Sequence, residues 1–332
     1  MAEARKRTLV VASLLLACAA GAMATMKQDE TVEAGKRAYE RSDYTKAVEV
    51  LQVAAAREPK NAEIQWWLAK TYFEIPDHDA AIASAEKAVA LDPKNSRYHE
   101  WLGKAYGDKA DHAGMFSALS LAKKTHKELE TAVQLDERNF SARQALIEFD
   151  CSAPGIVGGG EDRARAEIEK LSAMDAAEGH FAKGNCRWQK KDFATTDAEF
   201  TLALEAHPKS ANLLYDIGDY AMKRGQADRL LEVADEGEKV APEDPRGKFY
   251  RALGLILKNE RPEQAERLLR EYSEKAPLRT GYPRPTRVHE WMGRLFENEG
   301  QKEAALKEYH AAVQFDAKNK GAREAIRRLE KN

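Results

Sequence analysis

Net charge is nearly absent from this sequence: 53 Lys and Arg stand against 55 Asp and Glu, a formal −2 at pH 7, with the two signs interspersed. Phosphate backbones are held by clusters of basic residues, so this balance argues against a nucleic-acid partner. Cysteine is scarce, at three residues in 332. Cys151 and Cys186 are not a CxxC pair and have no histidine nearby at ligand spacing, which argues against a zinc module. Beyond the first 26 residues no apolar stretch reaches membrane-spanning length. No HExxH or GxSxG motif occurs, and no nucleophile signature is readable, so no catalytic residue and no cofactor are expected.

What is present begins with a targeting pattern. Arg5, Lys6 and Arg7 precede an uncharged apolar run from Leu9 to Ala22, and Ala22-Met23-Ala24 supplies small residues of A-x-A type. Residues 1–24 are read as a secretory signal peptide, with 25–332 as the body of an extracytoplasmic protein, periplasmic or secreted. Two alternatives stay open. Leu15-Leu16-Ala17-Cys18 is close to a lipobox, which would make Cys18 a lipidated N-terminus; the stretch Thr8 to Met26 would otherwise remain as a single anchor. Membrane contact is expected only through this segment. Outside the cytoplasm Cys151 and Cys186 are free to pair. The plainer reading is two independent residues on neighbouring helices, since spacing does not establish disulfide geometry.

Helix ends marked by proline give a period. Pro59 and Pro93 are 34 residues apart, as are Pro208 and Pro242, and Pro277 follows one residue late. Each closes a helix-like run, because proline lacks the donor and clashes with the preceding turn. Upstream, Trp67-Leu68-Ala69-x-x-Tyr72, Trp101-Leu102-Gly103-x-x-Tyr106 and Trp291-Met292-Gly293-x-x-Phe296 share one pattern, with a looser copy at Leu214-x-x-Ile217-Gly218. A helical glycine costs about 1 kcal/mol against alanine, so Gly103, Gly218 and Gly293 point to close helix approach. Ala81, Ala265 and Ala305 are the expected counterparts. The pattern resembles the tetratricopeptide repeat, and the resemblance implies an all-α, right-handed α-solenoid of about eight helix-turn-helix repeats. Repeats fall near 28–61, 62–95, 96–139, 140–176, 177–210, 211–244, 246–279 and 286–319, with a capping helix over 320–332.

Three departures interrupt the array. The third repeat carries extra residues at 107–118, where Met115 and Phe116 are apolar; they are expected to lengthen the hairpin or fold back on it. The fourth has the glycine-rich turn Pro154 to Gly160, and a looser segment, Leu278 to Thr286, precedes the eighth. The glycine-rich turn is no phosphate loop: no Gly-Lys-Ser/Thr follows, and Glu161 and Asp162 would repel an anion. Asp162 is expected to cap the next helix. His78 between Asp77 and Asp79 reads as a turn residue, with no third ligand in sight, and the other histidines read as scattered.

The resemblance also implies a concave groove lined by fixed first-helix positions. Here these include Lys36 and Tyr39, then Trp66, Lys70 and Phe73, then Arg97, Glu100 and Lys104. They continue with Phe181, Asn185 and Trp188, then Tyr215, Asp219 and Met222, and finally Arg287, Glu290 and Arg294. Aromatic and arginine side chains are common interface anchors, so a protein or peptide is the expected partner. The alternative for Trp66 and Trp188 is packing against the next repeat. Arg97-x-His99-Glu100-Trp101 nearly recurs as Arg287-x-His289-Glu290-Trp291, and fits either carboxylate recognition or plain intrahelical ion pairs. The carboxylate clamp of some family members needs Lys and Asn where this chain has Val32, Lys36, Trp66 and Lys70, a departure from that pattern. The expected function is a non-catalytic binding scaffold. The alternatives are a membrane-tethered lipoprotein subunit or chaperone of an envelope assembly, and a small-molecule binder or enzyme using the irregular third and fourth repeats.

Overall fold

The computed structural model describes residues 31–331; residues 1–24, read above as a signal peptide, lie outside the described residues, Cys18 with them. Among the described residues there are helices and no strand, and apart from α7 and α8 they pair as helical hairpins. The pairs are α1 (residues 31–40) with α2 (Tyr44–Arg57), α3 (Ala62–Glu74) with α4 (His78–Leu91), and α5 (Ser96–Asp111) with α6 (Met115–Leu135). Next come α7 (Phe140–Ser152) and α8 (Glu161–Met174), α9 (Ala176–Gln189) and α10 (Phe193–Glu205), and α11 (Ala211–Arg224) and α12 (Ala227–Val240). The last are α13 (Arg246–Lys258) with α14 (Pro262–Lys275) and α15 (Pro285–Asn298) with α16 (Lys302–Phe315), followed by the single helix α17 (Lys320–Lys331). The fold class is an all-α solenoid of helical repeats. No helix among the described residues is long and apolar enough to cross a membrane.

Local sequence fixes the helix ends. Asn61, Asp77, Asp192 and Ser210 accept backbone N–H groups of the turn that each precedes, a cap worth about 1 kcal/mol. Prolines 59, 93, 208, 242 and 277 stand two or three residues beyond the helices they close. At the fourth hairpin the expectation for Asp162 is corrected. Gly160 occupies the cap position at φ 148°, and Asp162 lies inside the first turn, paired with Arg165 at 2.6 Å. An acidic residue there still favours the helix N-terminus through its charge.

Two compact units make up the chain, residues up to Leu146 with Pro154–Gly158, and Ile147–Ala153 with Gly159 onward. In the N-terminal unit the residues around 107–118 lengthen the hairpin: α5 has 16 residues and α6 has 21. Their tip leaves Met115 76% and Phe116 88% exposed. Within each unit the first helices of successive hairpins touch, α3 with α5 in one and α9, α11, α13 and α15 in sequence in the other. They form a layer of their own, with the second helices behind.

The glycines sit at close contacts, although not against the expected alanines. A Cβ at Gly103 would meet the Leu129 side chain at 2.9 Å, and one at Gly293 would meet the Tyr309 ring at 2.7 Å. Large side chains of the second helix therefore lie over the bare backbone, while Ala81, Ala265 and Ala305 are buried on α4, α14 and α16. The glycine makes room for a leucine or a ring, which contributes more buried apolar area than an alanine would.

Candidate functional site

In the N-terminal unit, α1, α3 and α5 gather five of the expected groove residues into one aromatic and cationic patch. The Lys70 ammonium lies 4.6 Å from the Trp66 ring centre, 4.3 Å from Trp67, 4.9 Å from Tyr39 and 5.3 Å from Trp101. Arg97 covers Trp66 at 4.2 Å, and Phe73 meets Trp101 edge to face. Such cation–ring contacts contribute about 0.5–1 kcal/mol each when exposed and more when desolvated. Trp66 is 5% exposed, and its indole N–H has no acceptor among the described residues.

Glu100 is different in kind. It is 6% exposed and accepts from Lys104, from the Ser141 hydroxyl at 2.7 Å and from Asn139 at 3.0 Å. Burial raises its pKa, but the Lys104 charge and these three donors together outweigh that and draw the carboxyl below its usual range. Its oxygens are engaged within the chain, and its partner Lys104 one turn on is the intrahelical ion pair that the sequence reading offered beside carboxylate recognition.

The C-terminal unit separates the remaining candidates into core and surface. Phe181 stacks on Phe200 at 5.7 Å, and Tyr215, 2% exposed, stacks on Tyr250 at 5.5 Å; both belong to the continuous core. Asn185 and Trp188 are half-buried, with the Lys223 ammonium 4.5 Å from the Trp188 ring. Arg294 is exposed and stands 5.0 Å from Trp291. Asp219, Met222, Arg287 and Glu290 come together. They line a cleft of about 710 Å³, shared with Lys223, Arg284, Asp316, Lys318 and Lys320. Arg287 pairs with Glu290 at 3.3 Å along α15, and Asp219 accepts the Tyr250 hydroxyl at 2.7 Å.

One wall of this cleft, Gly281 to Arg284, is held by a residue that the sequence reading passed over. Arg246 is buried, forks onto Asp244 and donates to Asn212 at 2.8 Å and to the Gly281 carbonyl at 3.2 Å. Its guanidinium lies between the Tyr215 and Tyr282 rings, 4.5 Å from each. The Asp244-Pro245-Arg246 stretch reads as an ordinary turn, so no local signal marks it. Beside Tyr215, Asp216 remains open to water while protein crowds around it. That loss of hydration first, and then the Asp219 charge, pushes its carboxyl up to about 7.

Two further readings are corrected. Cys151 on α7 and Cys186 on α9 are disulfide-bonded, with Cα atoms 5.5 Å apart. The glycine-rich turn and α8 between them set that approach, which residue spacing alone does not encode. Nor are the histidines scattered. His99 pairs with Glu128, His180 with Glu199 and His289 with Glu308, at 2.6, 2.8 and 2.6 Å, each tying a first helix to the second helix of its own hairpin. The near-repeat around His99 and His289 thus marks an internal strut of the hairpin. Its signal was a glutamate on the following helix, 19 residues on where no extra residues intervene.

The family model described as tetratricopeptide repeat matches residues 32–106. No curated protein sequence matches the chain. Among solved structures, a tetratricopeptide repeat protein from Parabacteroides merdae aligns over 92% of this chain and 100% of its own, at 13% identity and a TM-score of 0.41. The MamA protein aligns over 54% of this chain and 91% of its own, at 22% identity and a TM-score of 0.41. An O-GlcNAc transferase mutant from Thermobaculum terrenum aligns over 45% of this chain, at 19% identity and a TM-score of 0.38, and this chain spans only 26% of that protein. Residues 32–106, within which the Trp67 and Trp101 patterns lie, therefore carry tetratricopeptide repeats.

Proposed function

We propose that this chain is an exported, non-catalytic scaffold that holds a protein or peptide segment against the first helices of its hairpins. Tetratricopeptide repeats in general bind proteins or peptides; what is particular here is the cleft of the C-terminal unit, the observation that carries the reading. Groove positions from α11 and α15 converge there around about 710 Å³, a volume in the range of ligand-binding clefts. Cations outnumber carboxylates on its walls, and Glu290 is already balanced by Arg287. The matching ligand is an acidic segment or a chain-terminal carboxylate, which forked and point cations hold by charge-assisted hydrogen bonds. In the N-terminal unit the half-buried rings of Trp67 and Trp101, flanked by Lys70 and Lys104, offer a second contact of the aromatic type.

Export rests on the basic start, the apolar run and the small-residue site of residues 1–24, and the Cys151–Cys186 bond supports it, since disulfides persist in oxidising compartments. The lipobox-like Leu15 to Cys18 favours a second reading, in which the same scaffold is tethered through a lipid on Cys18 as a subunit or chaperone of an envelope assembly.

Affinity capture from an envelope extract tests the cleft, with the native chain compared with an Arg284→Glu/Arg287→Glu/Lys320→Glu variant. These side chains are exposed, so the variant is expected to fold and to lose proteins that the native bait retains. Identical captures on both baits would sink the cleft reading. N-terminal sequencing of the protein from the envelope is expected to begin at residue 25. A chain retaining Met1 in the cytoplasm overturns export, and a lipid label on Cys18 selects the tethered form.

A further inference from the structure

His78 opens α4, and its sequence neighbours give it no partner. The fold supplies two. The Asp108 carboxylate, on α5, lies with Oδ2 2.6 Å from His78 Nδ1, and His112, which closes α5, places Nδ1 2.8 Å from the Asp108 carbonyl oxygen. The two imidazole rings stack 4.8 Å apart at 29°. One donor atom from each of His78, Asp108 and His112 falls within 4.8 Å of the others, and all three side chains reach solvent. Both hydrogen bonds are made at Nδ1, and neither Nε2 is engaged among the described residues.

We propose that His78, Asp108 and His112 form a binding site for a divalent first-row transition ion of the zinc or nickel class. Two imidazoles and one carboxylate are the donor set such ions take, whereas magnesium and calcium prefer all-oxygen sets. The ion takes the place of the proton between His78 Nδ1 and Asp108 Oδ2; that ring proton passes to Nε2 by a change of tautomer, so the imidazole stays neutral and no proton is released. His112 turns one ring nitrogen inward from the helix end, and water completes the shell. Neighbouring donors of a tetrahedral zinc lie about 3.3 Å apart, given bonds of about 2.0–2.1 Å. Closing the trio from 4.8 Å therefore needs only side-chain rotation at an exposed helix end. Net charge favours the step: Asp77 and Asp79 flank His78 in sequence and Asp111 precedes His112, against Lys109, which is itself paired with Asp79. The added residues of the third hairpin extend α5 far enough to bring Asp108 and His112 opposite His78. This assignment is independent of the cleft.

Zinc titration of the full chain, carrying no histidine tag, by calorimetry in a non-chelating buffer tests the site. About one ion per chain is expected. His78→Ala and His112→Ala should each weaken uptake at least about tenfold, and Asp108→Asn by about 10–100-fold. His310→Ala, on α16, should leave it unchanged. Added Co2+ should show visible absorption of mixed nitrogen–oxygen coordination in the native chain, a readout that needs no variant to fold. Absence of saturable uptake, or uptake that survives the His78→Ala/His112→Ala double substitution, overturns the proposal.

Discussion

The two units are built from the same hairpin but bury their apolar residues in different ways. In the C-terminal unit one cluster runs unbroken from Phe181 to Ile326, joining every hairpin from α9 onward. The N-terminal unit has small separate clusters instead, such as Leu51, Ala54, Ile64 and Leu68 in one and Leu129, Ala132, Val133, Ala142 and Leu146 in another. Between them lie buried polar groups: Ser96 donates to the Ala132 carbonyl at 2.7 Å, Asn139 bridges Ser96 and Glu100, and His99 pairs with Glu128. Nearest-neighbour coupling sets how far a local opening spreads in a repeat array. The contrast implies that the C-terminal unit opens as a whole and the N-terminal unit opens piecemeal. The patch of rings and cations sits on the loosely coupled unit, and the cleft sits on the tightly coupled one.

Truncation at the centre of each core gives the largest effect and the sharpest test of this contrast. Phe249→Ala is expected to cost about 3–5 kcal/mol in denaturant unfolding and to raise amide exchange from α9 to α17 together. Leu51→Ala, costing about 2–5 kcal/mol, should raise exchange only in α1 to α3. Equal spreading in both cases would remove the distinction. Reduction of Cys151–Cys186 comes next. Opening a loop of 35 residues should lower stability by about 2–4 kcal/mol, with the N-terminal unit's transition unmoved in a fragment-resolved melt. The smallest effect is a pH slope. A carboxyl pushed up to about 7 holds its proton more tightly in the folded chain, so Asp216 should make stability fall as pH rises from about 4 toward 7. Asp216→Asn should flatten that slope in a series of thermal melts. A native curve that rises over this window and is unchanged by the substitution would place Asp216 in ordinary solvent.

Much of the fold was legible because its determinants are local. Pro59 and Pro93 mark helix ends, Asn61 and Asp77 cap the helices they precede, and the Trp-Leu-x-x-x-Tyr spacing puts one face of each first helix into a core. The candidate surface was legible only in part. The same first-helix position holds Glu290 in the cleft and Tyr215 in the core, because exposure there depends on what the neighbouring hairpin places opposite, Asp316 to Lys320 in one case and Tyr250 in the other. Arg246 and the three His–Glu struts escaped notice for the same reason, since each is defined by a partner on another helix.

By itself the sequence determined the hairpin, its period and the ends of its helices, because capping, proline stops and apolar periodicity act within a few residues along the chain. Only the tertiary structure decided which side chains meet. The bonding of Cys151 to Cys186, the gathering of His78, Asp108 and His112, and the cleft held open by Arg246 all join residues about 30 or more positions apart. Their proximity depends on hairpin lengths and on the volume of what packs between them, and close packing fixes these for the array as a whole rather than for any one stretch of chain.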